Sequence, residues 1–175
     1  MNAARRIVRF EGYPFHKYTK TEVERDLFPT RKNTHNWNRF ESEYYLRNKF
    51  TKKFGWSIPC KEMFDAVRKY SYKTEVMDVM AGSGFHVDLM HRAGILASAS
   101  DAAVRKANDW GHVEKHTYIL EEQATIRINK NQDKDVWMSW PPYDTEDGTN
   151  AVMLIQRPGA YLYLIGEEGG CTGSD

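Results

Sequence analysis

The stretch from Val76 to Asp101 limits what this chain can fold into more than any other. Val76-Met77-Asp78-Val79-Met80 is short and apolar, with β-branched residues at intervals, which predicts a strand. Ala81-Gly82-Ser83-Gly84 follows, and its two glycines accept positive φ and close approach of a ligand to the backbone. Phe85 to Ala93 predicts a helix, with Phe85, Leu89 and Met90 at helical spacing and Val87 off that stripe. Gly94 to Asp101 predicts a second strand that ends in an acid. The first amides of the helix would point at a ligand on the glycine turn. An acid about 20 residues beyond such a turn is placed to accept hydrogen bonds from two ribose hydroxyls. By itself Asp101 suits equally the cap of a helix over Ala102 to Trp110, and the turn by itself suits a plain bend.

The rest of the chain continues the alternation. A helix opens near Ser57 or Ile58, with Pro59 at its first position and Met63, Phe64, Val67 and Tyr70 on its apolar stripe. One of Thr117–Leu120 and Ala124–Ile128 is expected as the third strand, before a polar turn over Asn129 to Asp135. Asp135 to Ser139 predicts the fourth strand, Thr149 to Gln156 a helix, and Ala160 to Gly166 the fifth strand. Upstream, Ile7 to Phe10 predicts a short strand, and Asn38 to Lys53 a helix ended by Gly55. Alternating strands and helices predict a parallel sheet with ligands at its carboxyl edge.

The fourth strand runs into Ser139-Trp140-Pro141-Pro142-Tyr143. Two prolines forbid both helix and ladder pairing, and Pro142 restricts Pro141 to extended geometry. The expectation is a rigid, extended ledge at the carboxyl end of a strand. Such a ledge can offer backbone carbonyls and Ser139 to an amino group, while Tyr143 stacks on a flat ring.

These motifs carry a resemblance. Asp78-x-x-Ala81-Gly82-Ser83-Gly84 resembles the first motif of class I S-adenosylmethionine-dependent methyltransferases, and Asp101 falls at their ribose-binding acid. Ser139-Trp140-Pro141-Pro142-Tyr143 resembles the catalytic motif of the amino-methylating kind, whose first position is usually Asp or Asn and sometimes Ser. The chain is also similar to an uncharacterised group of methyltransferase-like proteins. They share Trp56-Ser57-Ile58-Pro59, the Ser-Trp-Pro-Pro-Tyr ledge, and the segment Gly166-Glu167-Glu168-Gly169-Gly170-Cys171-Thr172.

The resemblance runs from Trp56 to the C-terminus. It implies a Rossmann-like, three-layer α/β sandwich of the class I methyltransferase type over 56–175, with 1–55 as a basic, aromatic extension. It implies S-adenosylmethionine as cofactor, held by Asp78, Ala81, Gly82, Ser83, Gly84, Asp101 and Glu121, the last at the adenine. It further implies methyl transfer to an amino nitrogen of a nucleobase or other planar acceptor, at Ser139, Pro141, Pro142 and Tyr143. Two departures matter. A Ser at position 139 weakens the acceptor contact, which leaves open a binding module that has lost catalysis. The family also adds two strands after the fifth, whereas Asp175 follows soon after that strand here. An uncovered sheet edge is an aggregation liability, so a partner chain or the N-terminal region is expected to cover it.

Charge divides the chain. Thirteen Lys and Arg stand against 6 Asp and Glu in residues 1–56, a net +7, while the remainder carries net −6. The basic part interleaves cations with rings, among them Arg39, Phe40, Tyr44, Tyr45, Arg47, Phe50, Lys52, Lys53 and Phe54. This suits phosphates and bases of nucleic acid, and equally an amphipathic helix with its rings in a core or in a homodimer. A mean hydropathy of −0.71 and the lack of a long apolar run predict no membrane span. The N-terminus lacks an apolar signal core, which predicts an intracellular protein. Cys60 and Cys171 read as free thiols, and His112 and His116 at i, i+4 lack a third metal ligand nearby. Glu122, Glu167, Phe85 and His86 are further pocket candidates, each with a structural reading of equal or greater weight.

Overall fold

A computed structural model describes the backbone of residues 6–10, and residues 50–52, 54–57, 59, 61–104, 114–142 and 145–166. Its strands are β1 (Arg6–Phe10), β2 (Val76–Asp78), β3 (Ala97–Asp101), β4 (Ile119–Glu121), β5 (Asp135–Ser139) and β6 (Tyr161–Ile165). Its helices are α1 (Lys61–Tyr70), α2 (Phe85–Arg92), α3 (Ala124–Lys130) and α4 (Asp147–Met153). The strands form one six-stranded sheet in the order β1-β6-β5-β2-β3-β4, and every pair is parallel.

Side chains alternate across a strand, so each strand feeds two cores. Val76, Ala97, Ala99, Ile119, Trp137, Tyr163 and Ile165 face α1 and α2, where Met63, Val67, Val87 and Met90 meet them. Met77, Val136, Met138 and Leu162 face the other way, onto Ala124 and Ile128 of α3 and Ala151 of α4. The result is three layers, helix on sheet on helix, an α/β arrangement compatible with a Rossmann-like fold. Trp137, Met77, Met138 and Leu162 are almost wholly removed from water. Each such side chain contributes about 1.5–3 kcal/mol of burial, which is why the central strands are apolar on both faces.

The chain moves from β2 outward to β3 and β4, then returns to β5 beside β2 and moves the other way to β6. The direction of winding therefore reverses between β2 and β5. At such a point the loops leaving two adjacent parallel strands diverge to opposite faces, and a crevice opens at their carboxyl ends.

Several expectations change in three dimensions. Ala124 to Ile128 belongs to a helix, and the third sequence-predicted strand is β4, two residues later than Thr117 at its start. Val87 is buried although it lies off the predicted stripe, because it faces the sheet with Met90, while Phe85 of the same helix packs on Phe50 and Phe54. The sheet edge beyond β6 is covered by β1, with Ile7 opposite Leu162 and Arg9 opposite Leu164. Of the predicted helix 38–53, the described part is helical at 50–52; the predicted helix over 102–110 lies largely outside the described residues. Cys60, His112 and Cys171 also lie outside them.

Candidate functional site

The carboxyl ends of β2, β3, β4 and β5 bring the sequence motifs to one edge of the sheet. In register, Asp78 stands beside Trp137 and Ala99, and Asp101 beside Glu121. Alternation puts Asp78, Asp101, Glu121 and Ser139 on the face that carries α1 and α2.

The glycine turn hangs between these strands. Ala81 N–H donates to the Ser100 carbonyl at 3.0 Å, and Gly84 N–H donates to the Ala81 carbonyl at 2.8 Å, closing the turn. Both glycines take positive φ, +53° at Gly82 and +74° at Gly84, but for different purposes. A Cβ on Gly82 would meet nothing within 4 Å. A Cβ on Gly84 would lie 2.7 Å from Thr117 Cγ2 and 3.2 Å from Ile119 Cγ1. Gly82 thus leaves open approach to the backbone, and Gly84 lets β4 pack against the start of α2.

Asp101 ties the turn to the next loop. Its Oδ2 accepts from Gly82 N–H and its Oδ1 from Ala103 N–H, both at 2.9 Å. Each carboxylate oxygen has a lone pair left over. Asp78 lies deeper, 1% exposed. Among the described residues its Oδ1 has no hydrogen-bond partner. Burial pushes this carboxyl up to about 8, against a hydrogen bond from the Met80 backbone and with help from the Asp101 charge. Asp78 is therefore a neutral acid near pH 7, beside a charged Asp101.

Ser83 plays a joining part. It is buried, its hydroxyl donates to the Phe54 carbonyl, and its own carbonyl accepts from His116 N–H at 3.0 Å. The segment before α1 is thereby pinned to the glycine turn. Phe85 packs in the same place, 4.4 Å from the Phe54 ring, and His116 stacks on Phe54 at 5.2 Å. Among the described residues no group of three His, Cys, Asp or Glu could hold a metal ion.

His86 points away from the turn into the core. Its Nε2–H donates to the Ser57 carbonyl at 3.2 Å, and its Nδ1 accepts from the Trp137 indole at 3.3 Å. Burial pushes its pKa down to about 4 against the Ser57 bond, so the ring is neutral and both nitrogens are satisfied. This bridge joins the segment before α1, the first turn of α2, and β5 two residues before Ser139. Sequence reading did not find it, because nothing local pairs residues 57, 86 and 137.

At β5 the ledge departs from the expected extended form. Trp140 takes φ +55°, the one positive φ outside glycine among the described residues. Its N–H still bonds the Ile165 carbonyl at 2.8 Å, one step beyond the β5–β6 ladder. The left-handed turn costs roughly 1–2 kcal/mol and tucks Pro141 inward against α4. A Cβ on Gly148 would lie 3.1 Å from Pro141 Cβ, so Gly148 makes room for the proline. Pro142 is exposed and Ser139 half-buried; Tyr143 lies outside the described residues, as does Glu167.

The structure also separates Glu121 from Glu122. Glu122 is held by Lys130 at 2.6 Å and lies 4.0 Å from Arg127, whereas Glu121 is exposed on the carboxyl edge beside Asp101. No helix among the described residues is long and apolar enough to cross a membrane. Comparison with family models, curated proteins and solved structures finds no match to the chain.

Proposed function

We propose that the chain binds S-adenosylmethionine at this edge and transfers its methyl group to an amino nitrogen on a planar acceptor. One observation carries the reading. The Gly82 turn, Asp101 and the Ser139–Pro142 segment are far apart in sequence. They come to one edge of the sheet, at the carboxyl ends of β2, β3 and β5, where the winding reverses and Gly82 N–H bonds Asp101. The local chemistry fits such a ligand. Gly82 leaves space at the backbone, Asp78 has a buried carboxyl oxygen without a partner among the described residues, and Glu121 stands beside Asp101.

When bound, the cofactor supplies an electrophilic methyl group on a sulfonium. The residues of the chain bind and orient. Asp101 accepts the ribose hydroxyls, Gly82 and its neighbours receive the amino-acid part, and Glu121 meets the adenine. Ser139 and the carbonyls of the ledge orient the acceptor nitrogen, and Pro141, locked against Gly148, keeps them in place. The rate would come from in-line positioning and exclusion of water rather than from a covalent intermediate.

Ser139, where an acid or amide is usual, favours a second reading: a cofactor-binding or partner-binding module without transfer. Calorimetry with S-adenosylmethionine and S-adenosylhomocysteine, then transfer of labelled methyl to adenine- and cytosine-containing oligonucleotides and basic peptides, tests both. Binding with turnover supports the enzyme. Binding without turnover supports the module. No heat at millimolar ligand removes both. The basic N-terminal part is proposed to hold nucleic acid or a second copy of the chain. Affinity that falls steeply with salt marks the first, and a salt-insensitive dimer in sedimentation the second.

A further inference from the structure

We infer that the Asp78–Asp101 pair holds one proton beneath the glycine turn, and that a ligand bearing an ammonium group expels it on binding. The inference rests on the cofactor reading of the site and adds its linkage to pH.

Two carboxyls flank one turn on one face of the sheet. Asp101 is half-buried and has its charge spread over two backbone N–H groups, at 2.9 Å each. Asp78 is 1% exposed and carries an oxygen with no hydrogen-bond partner among the described residues. Two such groups cannot both ionise cheaply: the second charge would sit out of water and next to the first. The proton rests on Asp78, the less hydrated of the two, whose pKa is raised to about 8.

Among the described residues no cation reaches Asp78 to take the proton's place. From β3 the facing charge is Asp101, itself negative, and the register neighbour is Ala99. From β5 the neighbour is Trp137, uncharged. From α2 the titratable group on this face is His86, which is neutral and bonded at both nitrogens. A cationic ligand group next to the turn would supply the missing charge. Asp78 would then release its proton to solvent and bond the ammonium as a carboxylate. The charge of the site stays the same, one proton being exchanged for one ammonium.

Calorimetry at pH 7 with S-adenosylhomocysteine, in buffers of low and high ionisation enthalpy, reads the exchange. The expected result is release of about 0.9 proton per ligand, and affinity that rises about tenfold between pH 6 and pH 7. Methylthioadenosine, which shares the nucleoside and sulfur but has no ammonium, is expected to release none. Asp78→Asn should abolish the buffer dependence with S-adenosylhomocysteine. Binding whose heat ignores the buffer, or equal release with methylthioadenosine, overturns the inference and leaves the cofactor reading standing. Absence of binding by both ligands across pH 6–9 overturns the two together.

Discussion

At the scale of single residues, the two glycines of one turn do separate work. Gly84→Ala forces a Cβ to 2.7 Å from Thr117 Cγ2 in a left-handed backbone. It should cost roughly 2–5 kcal/mol, the sum of overpacking and left-handed strain. Gly82→Ala meets no neighbour and should cost only the strain, roughly 1–2 kcal/mol. Urea unfolding of the two variants checks the order; equal losses would deny Gly84 its packing role. In ligand binding the order should reverse, since the space at Gly82 is what a ligand would use. Asp101→Ala should weaken S-adenosylhomocysteine binding by about 1.5–3 kcal/mol, the range for hydrogen bonds to a charged group. Calorimetry on a variant shown to be folded measures it, and unchanged affinity would remove Asp101 from the site.

At the scale of elements, β1 is the informative one. Its five residues pair in parallel with all of β6, although nearly the whole chain separates the two. A parallel neighbour at that distance has no local cause; it forms because β6 otherwise leaves a row of backbone groups unpaired. Removing residues 1–10 should lower stability by on the order of 2–5 kcal/mol, from lost ladder bonds at about 1 kcal/mol each. It should also promote concentration-dependent association, visible in sedimentation. A truncated chain that is equally stable and monomeric would show that β6 does not need this cover. The start of β5 has its own anchor, at the end of the strand away from the site. Ser71 donates to Asp135 Oδ2 at 2.5 Å and lies 2.6 Å from the Tyr163 hydroxyl, while Arg157 and the Tyr161 N–H take Oδ1. This network fixes the strand at one end, so that Ser139 is delivered reproducibly at the other.

At the scale of the whole molecule, buried ionisable groups set how stability follows pH. Asp78 keeps its proton in the folded chain up to about pH 8, while in the unfolded chain it loses it near pH 4. The stability it contributes is fully present below about pH 4 and is lost as pH rises through about 8, at up to about 1.4 kcal/mol per pH unit. Glu75 has the opposite sign. Burial pushes its carboxyl up, but hydrogen bonds and charge from Lys134, with Ser98 and Arg127, hold it below its ordinary value. Its contribution is lost as pH falls through the carboxylate range. The difference between the native chain and Asp78→Asn isolates the first effect. From pH 5 to pH 8 the native chain should lose thermal stability relative to the variant. Parallel melting curves across that range would place the Asp78 carboxyl in contact with water.

The segment from Val76 to Asp101 was legible because its signals are local: a β-branched run, two glycines, a helical stripe, an acid. Strand β5 and the stop at its prolines were legible for the same reason, as was the short strand at Ile7. Ala124 to Ile128 was not, because its apolar residues fit a two-residue period and a helical one alike. Ile119 had already taken the place beside Ala99, so the following segment had to cross the sheet as a helix. The burial of Val87 waited on the sheet face beneath α2, and the left-handed Trp140 on a bond to Ile165 and a pocket at Gly148. The Ser57–His86–Trp137 bridge joins residues as far as 51 positions apart in one bond. Chain-local rules of conformation and hydrophobic period supplied most of the order of elements and nominated the candidate site residues. Which oxygen is left unpaired, which glycine is crowded and which strand closes the sheet depend on contacts between distant segments, and those exist only once the chain is packed.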